Sequence, residues 1–136
     1  MATEELDRPV EQAVDWSHAL ISSRRVEGTP VYNRAGEKLG TVHSVMIEKK
    51  SGRVAYAVMA FGGFLGMGHR HFTLPWAMLT YHPNLDGYVV DITEDQLKAA
   101  PDYDREGKPE GEVWSDRARE EELHRYYNVR AYWLFE

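Results

Sequence analysis

The stretch from Arg53 to Phe61 constrains the fold more than any other part of this sequence. Val54, Tyr56 and Val58 alternate with Ala55, Ala57 and Met59, so both phases of a two-residue period are apolar. A strand of this kind has no face to offer to water and belongs inside a sheet, covered on both sides. Turn residues bound it: Lys49-Lys50-Ser51-Gly52 before, Gly62-Gly63 after.

The neighbouring segments read as further short strands. Val26 to Tyr32 leads through a turn at Asn33 to Glu37, where Asn33 and Gly36 supply the turn chemistry, into Lys38 to Glu48. Within the latter, Gly40 and Val42 occupy one phase and Val45 and Ile47 the other. A two-residue period cannot switch phase without an extra residue, which predicts a β-bulge near His43 and Ser44. His69 to Leu74 sets Phe72 and Leu74 on one face against His69, His71 and Thr73 on the other, and Pro75 ends its donor ladder. Trp76 to Tyr81 and Gly87 to Ile92 supply the last strands, with His82-Pro83-Asn84-Leu85-Asp86 as the turn between them. Bulges bend short strands sharply enough to close a small barrel. The expected fold is therefore mainly β: a small closed antiparallel barrel of about six strands, from about Arg25 to Asp91, with short helical N- and C-terminal extensions.

Outside the strands, Val10 to Ile21 spaces Val10, Ala13, Val14, Ser17, Leu20 and Ile21 as a short amphipathic helix, although its end reads equally well as extended chain. Thr93 with Gln96 forms a capping-box pattern, predicting a helix over Thr93 to Ala99 that closes at Pro101. Asp102 to Glu112, with Gly107, Pro109 and Gly111, has linker composition. Ser115 to Tyr127 is rich in helix formers, with Ser115 as candidate cap and Asp116 in the first turn. The expected organisation is an N-terminal extension over 1–19, a barrel domain over 20–101, a linker over 102–112 and a helical, aromatic extension over 113–136.

Composition narrows the chemistry. Sixteen Lys and Arg against 22 Asp and Glu give a net charge of −6, a field that repels nucleic-acid phosphates and anionic lipid surfaces. Direct nucleic-acid binding is not expected. With no cysteine there is no disulfide, thiolate nucleophile or thiolate metal site, which suits a reducing cytoplasm. Glu4, Glu5 and Asp7 stand where a secretory signal needs a basic start, and Val54 to Leu65 is too short to span a bilayer as a helix. No export signal and no membrane insertion are expected.

Each constellation that suggests chemistry has a plainer reading. Gly62 to Gly68 lacks the Lys-Ser or Lys-Thr of a phosphate loop, and its glycines read as backbone freedom around Phe64, Leu65 and Met67. His69 and His71 share a strand face, but two ligands fall short of zinc's usual three or four. His43 and His82 become further ligands only if the fold brings them close. Asp91, Glu94 and Asp95 favour the positive end of the Thr93 helix more simply than they form an acid-base pair. Ser22, Ser23 and Ser44 have no nucleophile-elbow context. Glu120, Glu121 and Glu122 beside Arg117, Arg119 and Arg125 read as a solvated helix face, with Trp114, Leu123, Tyr126 and Tyr127 on the other. Neither a catalytic residue, a cofactor nor a metal site is assigned.

Glu27-Gly28-Thr29-Pro30-Val31-Tyr32, Gly36, Gly40, the turn ending at Gly52, Tyr56, Gly62-Gly63-Phe64-Leu65-Gly66 and Leu74-Pro75-Trp76 together resemble the PRC-barrel family over about Leu20 to Pro101. Phe72-Thr73 stand where relatives often carry His-Pro. The resemblance implies a barrel like the cytoplasmic domain of the photosynthetic reaction-centre H subunit and the C-terminal domain of the ribosome-maturation protein RimM, and it implies a protein-interaction module without catalytic residues. Neither the transmembrane helix of the H subunit nor the N-terminal domain of the ribosome-maturation proteins is expected, so the sequence looks like the stand-alone bacterial members. The expected function is binding of a protein partner, including a second copy. Phe64, Leu65, Met67, Trp114, Tyr132, Trp133 and Phe135 are the candidate contact residues. The alternative implied by the same relatives is an accessory factor that contacts ribosomal proteins or other proteins of RNA metabolism.

Overall fold

The computed structural model describes residues 19–62, 69–101 and 116–135. The chain enters through one helical turn, α1 (Ser23–Val26), whose N-cap Ser22 accepts from the Arg24 amide. Six strands follow: β1 (Pro30–Tyr32), β2 (Lys38–Ile47), β3 (Val54–Gly62), β4 (His69–Pro75), β5 (Leu79–His82) and β6 (Gly87–Val90). Helices α2 (Glu94–Lys98) and α3 (Arg117–Tyr127) and a 3₁₀ turn at Tyr132–Phe135 complete it. The predicted N-terminal helix over Val10 to Ile21 lies almost wholly outside the described residues. Residues 19–22 are not helical.

The strands form one sheet in the order β4-β3-β2-β1-β6-β5. The number of strands matches the expectation; the pairing corrects it in one place. β1 pairs with β6 in parallel, Val31 opposite Tyr88 and Tyr32 opposite Val89, so the sheet is not wholly antiparallel. Each strand of that pair already has its hairpin neighbour on the other side, β2 or β5, and the long connection between them brings β6 back in the same direction as β1.

Of the expected barrel, the described residues show the part that curls into a half-barrel. β4 and β5 lie at opposite ends of the order, with no ladder joining them among the described residues. A flat sheet would hold those ends about 24 Å apart at the usual interstrand spacing. Only the 3₁₀ turn Trp76–Met78 separates Pro75 from Leu79, and four extended residues reach about 14 Å at most. The sheet must therefore curl, and it does so as a half-barrel.

Two strand boundaries also change. Val26 to Tyr32 is not one strand: α1 ends at Val26 and β1 begins at Pro30, with Gly28 and Thr29 between them already exchanging backbone hydrogen bonds with Val42 of β2. Trp76 to Tyr81 is a 3₁₀ turn followed by β5, because the chain must swing from one edge of the sheet to the other before it can pair.

The bulge falls where the phase switch put it, with a register shift between Val42 and Ser44 against Met59 and Val58. The β1–β2 turn uses its expected residues. Asn33 Oδ1 accepts from the Glu37 amide at 2.9 Å, and Gly36 takes φ +88°, a conformation that suits glycine. β3 pairs on both sides, and Ala55 through Met59 are all buried. The main core combines Met59 with Val31, Leu39, Val42, Phe72, Leu74, Tyr88, Val90 and Leu97. The α2 capping box forms in full, with Thr93 Oγ1 accepting from the Gln96 amide at 3.0 Å and Gln96 Oε1 from the Thr93 amide at 2.8 Å. The α3 cap is Asp116 rather than Ser115, which lies outside the described residues; the Asp116 carboxylate accepts from the Ala118 amide at 3.0 Å.

Candidate functional site

The C-terminal segment docks on the sheet through polar groups that the sequence leaves scattered. Tyr56 on β3 is 2% exposed and pairs with Met46 on one side and Pro75 on the other. Along α3, Glu120, Leu123, His124 and Tyr127 recur at i, i+3, i+4 and i+7, the spacing of one helix face. That face meets β3. Leu123 joins Ala55 and Tyr56 in a second apolar cluster, with Met46, Tyr127 and Tyr132 packed against it.

At the centre, the Tyr56 hydroxyl donates to Glu120 Oε1 at 2.7 Å, and His124 Nε2 lies 3.1 Å from the Tyr56 hydroxyl oxygen. A carboxylate only accepts, so the single phenolic proton goes to Glu120 and His124 donates through Nε2–H. Glu120, 5% exposed, also pairs with Arg117 Nε at 3.3 Å, and the Arg117 guanidinium lies 3.8 Å from the Trp133 ring centroid. Tyr132 meets Tyr56 edge-on at 5.5 Å between centroids, and Trp133 meets His124 edge-on at 5.4 Å. A further tie joins the helices, from the Tyr126 hydroxyl to the Gln96 carbonyl at 2.6 Å.

This network shifts its members. Burial first, and then the bond to Glu120, push the Tyr56 hydroxyl far above its ordinary range. Burial and the Glu120 carboxylate raise Tyr132 in the same direction. Burial lowers His124, which its Nδ1, lacking a hydrogen bond of ordinary geometry, cannot prevent; the nearby Val129 backbone and Glu120 offset it only in part, and Arg117 adds to it. The unfolded chain therefore takes up the His124 proton more readily than the folded one. Stability from this group is intact above about pH 6.5 and falls as the pH drops below it. A His124→Gln variant is expected to flatten the fall in urea-unfolding free energy between pH 7 and pH 5; an unchanged slope would contradict this.

Beside the network runs a groove of about 300 Å³ with a mainly apolar wall. Val54, Ala55, Pro75, Trp76 and Tyr132 line it, and Glu48, Arg53 and Arg130 bring charges of both signs to it.

The candidate contact residues thus separate. Phe64, Leu65, Met67 and Trp114 lie outside the described residues. Phe135 belongs to the C-terminal turn. Tyr132 and Trp133 both pack within their own chain, Tyr132 on the groove and Trp133 against Arg117 and His124. The expectation of a solvated glutamate face is corrected at Glu120, which is buried because Tyr56 supplies a donor inside the sheet. Glu120 reads as solvated from the sequence, and His124 is not singled out there. The detectable signal was their i, i+4 spacing in phase with Leu123 and Tyr127.

The histidines separate as well. His43 and His71 meet, with ring centroids 4.8 Å apart, whereas His82 is buried at the far end of the strand order. His69 holds the first position of β4, opposite Gly62.

A family profile described as PRC-barrel domain matches residues 19–97. This chain belongs to the PRC-barrel family. Among solved structures it is similar to a putative 16S ribosomal RNA processing protein, RimM, from Pseudomonas aeruginosa, at 19% identity and a TM-score of 0.38. The match covers 55% of this chain and 45% of that one, so the PRC-barrel chain spans less than half of that relative. Comparison with curated proteins finds no match. No helix among the described residues is long and apolar enough to cross a membrane.

Proposed function

We propose that this PRC-barrel protein is a non-enzymatic interaction module that self-associates through the groove beside Trp76 and Tyr132. The observation that carries this reading is the make-up of the groove: an apolar wall with two aromatics, bordered by Arg53, Arg130 and Glu48. Protein interfaces combine an apolar centre with a polar rim, and Trp, Tyr and Arg supply most of their binding energy. A two-fold interface brings one patch against its own copy, which requires charges of both signs on that patch. Glu48 opposite Arg53 or Arg130 of a second copy meets that requirement. Exposed Ile47, next to Glu48 in sequence, adds apolar area near the rim. The buried carboxylate nearby is held by Tyr56 and Arg117 and the imidazole by Tyr56, an arrangement that serves docking of the C-terminal segment.

Light scattering of the full chain across micromolar concentrations tests the reading. A concentration-dependent dimer is expected, shifted toward monomer by Arg53→Glu with Arg130→Glu. A monodisperse monomer in the unmodified protein would defeat it. The full chain is required, because removing residues after Asp102 would uncover Ala55 and Tyr56.

A further inference from the structure

His43 and His71 belong to strands that do not pair with each other. β3 lies between them, and one row crosses all three strands: Thr41 on β2 opposite Ala60 on β3, and Ala60 opposite His71 on β4. Backbones two strands apart stand about 10 Å from each other, so imidazoles on them do not ordinarily touch. Two local features bring these together. The register shift between Val42 and Ser44 makes His43 the extra residue of the bulge, which re-aims its side chain. The residue between them is Ala60, whose methyl group leaves the space above β3 open.

The rings consequently meet edge-on, with centroids 4.8 Å apart and planes inclined by 70°. They lie on the outer face of the sheet, since the adjacent Val42, Met59 and Phe72 turn inward to the core. His43 is exposed and His71 half-buried, so an ion from solvent can reach both. Ser44 Oγ stands 3.4 Å from His43 Nδ1 and favours the present ring position.

Two imidazoles bound to one tetrahedral ion at metal–nitrogen distances near 2.0–2.1 Å place their ring centroids about 5 Å apart. The observed separation is already close to that, and the broad terminal torsion of histidine lets the ring nitrogens reorient at little cost. We propose that His43 and His71 bind one divalent transition-metal ion of the class that prefers imidazole nitrogen, Zn²⁺, Ni²⁺ or Cu²⁺, with water completing its shell. Hard oxygen-seeking ions such as Mg²⁺ and Ca²⁺ are excluded by the donor type. Among the described residues no group of three or more His, Asp or Glu is placed to hold a metal. The site is therefore open and exchangeable, unlike a closed structural zinc site.

Two measurements on the full chain test the proposal. In nuclear magnetic resonance, substoichiometric Ni²⁺ is expected to broaden the His43 and His71 ring signals before those of His82 and His124. In calorimetry, Zn²⁺ is expected to bind one per chain, and His43→Ala and His71→Ala are each expected to weaken it roughly tenfold or more, since losing even an outer partner of a metal ligand costs about 10–100-fold. Both positions lie outside the core, and an unchanged unfolding midpoint in each variant verifies that the fold persists. Zn²⁺ affinity unaltered by both substitutions, or ring signals of His43 and His71 that stay sharp while others broaden, would overturn the proposal.

Discussion

Gly40→Ala is expected to lower the unfolding free energy by about 3 kcal/mol, at the upper end of what overpacking a filled site costs. Gly40 sits in β2 where the β3 backbone at Ala60 leaves no room for a side chain. A Cβ there would stand 2.2 Å from the Ala60 carbonyl oxygen and 3.2 Å from the Met59 side chain. The Met59 contact could relax by a rotamer change, but the carbonyl cannot move without disturbing the β2–β3 ladder. That ladder joins β3 and the edge strand β4 to the rest of the half-barrel, so the strain cannot be confined to one residue. Urea unfolding followed by tryptophan fluorescence measures the effect. A loss smaller than about 1 kcal/mol would show that the strands separate there more easily than this geometry allows.

Tyr56→Ala is expected to cost about 4 kcal/mol, in the range for truncating a buried aromatic. The ring fills the space between β3, Leu123 and Tyr132, and its loss leaves a cavity under α3. It also removes the Tyr56 donor to Glu120, leaving a buried carboxylate with the exposed Arg117 and with Tyr132 beside it. Tyr56→Phe separates the two contributions. It keeps the ring and deletes only the hydroxyl, and about 2 kcal/mol is expected, as for a hydrogen bond to a charged group. Equal losses in the two variants would mean that packing contributes nothing beyond the hydroxyl; no loss in Phe would mean that Glu120 finds another donor. Near-ultraviolet circular dichroism reports whether the Tyr132 and Trp133 environments are lost together with the hydrogen bond.

The strands were largely legible because each carries its own local signal. Alternation marked β3, the phase switch in β2 located the bulge, and Asn33 with Gly36 marked the turn between β1 and β2. The α2 cap was legible for the same reason: Thr93 and Gln96 satisfy each other's backbone within one turn of helix. Trp76 to Tyr81 was misread as one strand because its composition suits pairing, while the path from β4 to β5 is set by the curl of the whole sheet. Glu120 was misread because three consecutive glutamates look solvated from sequence. Only the approach of Tyr56, 64 residues earlier, makes burial of one of them tolerable.

The sequence by itself determined the family, the six strands, the bulge and the absence of thiol chemistry, since periodicity, turn residues and composition act over a few residues at a time. The tertiary structure alone decided the parallel β1–β6 pairing, the curl into a half-barrel, the docking of Tyr132 on its own sheet and the meeting of His43 with His71. Those features depend on which distant segments come within contact range, and the energy of a contact between distant residues is not written at either residue alone. The run from Arg53 to Phe61 joins both levels: its apolar alternation made it a central strand, and the fold placed Tyr56 beneath α3 and Ala60 between two histidines.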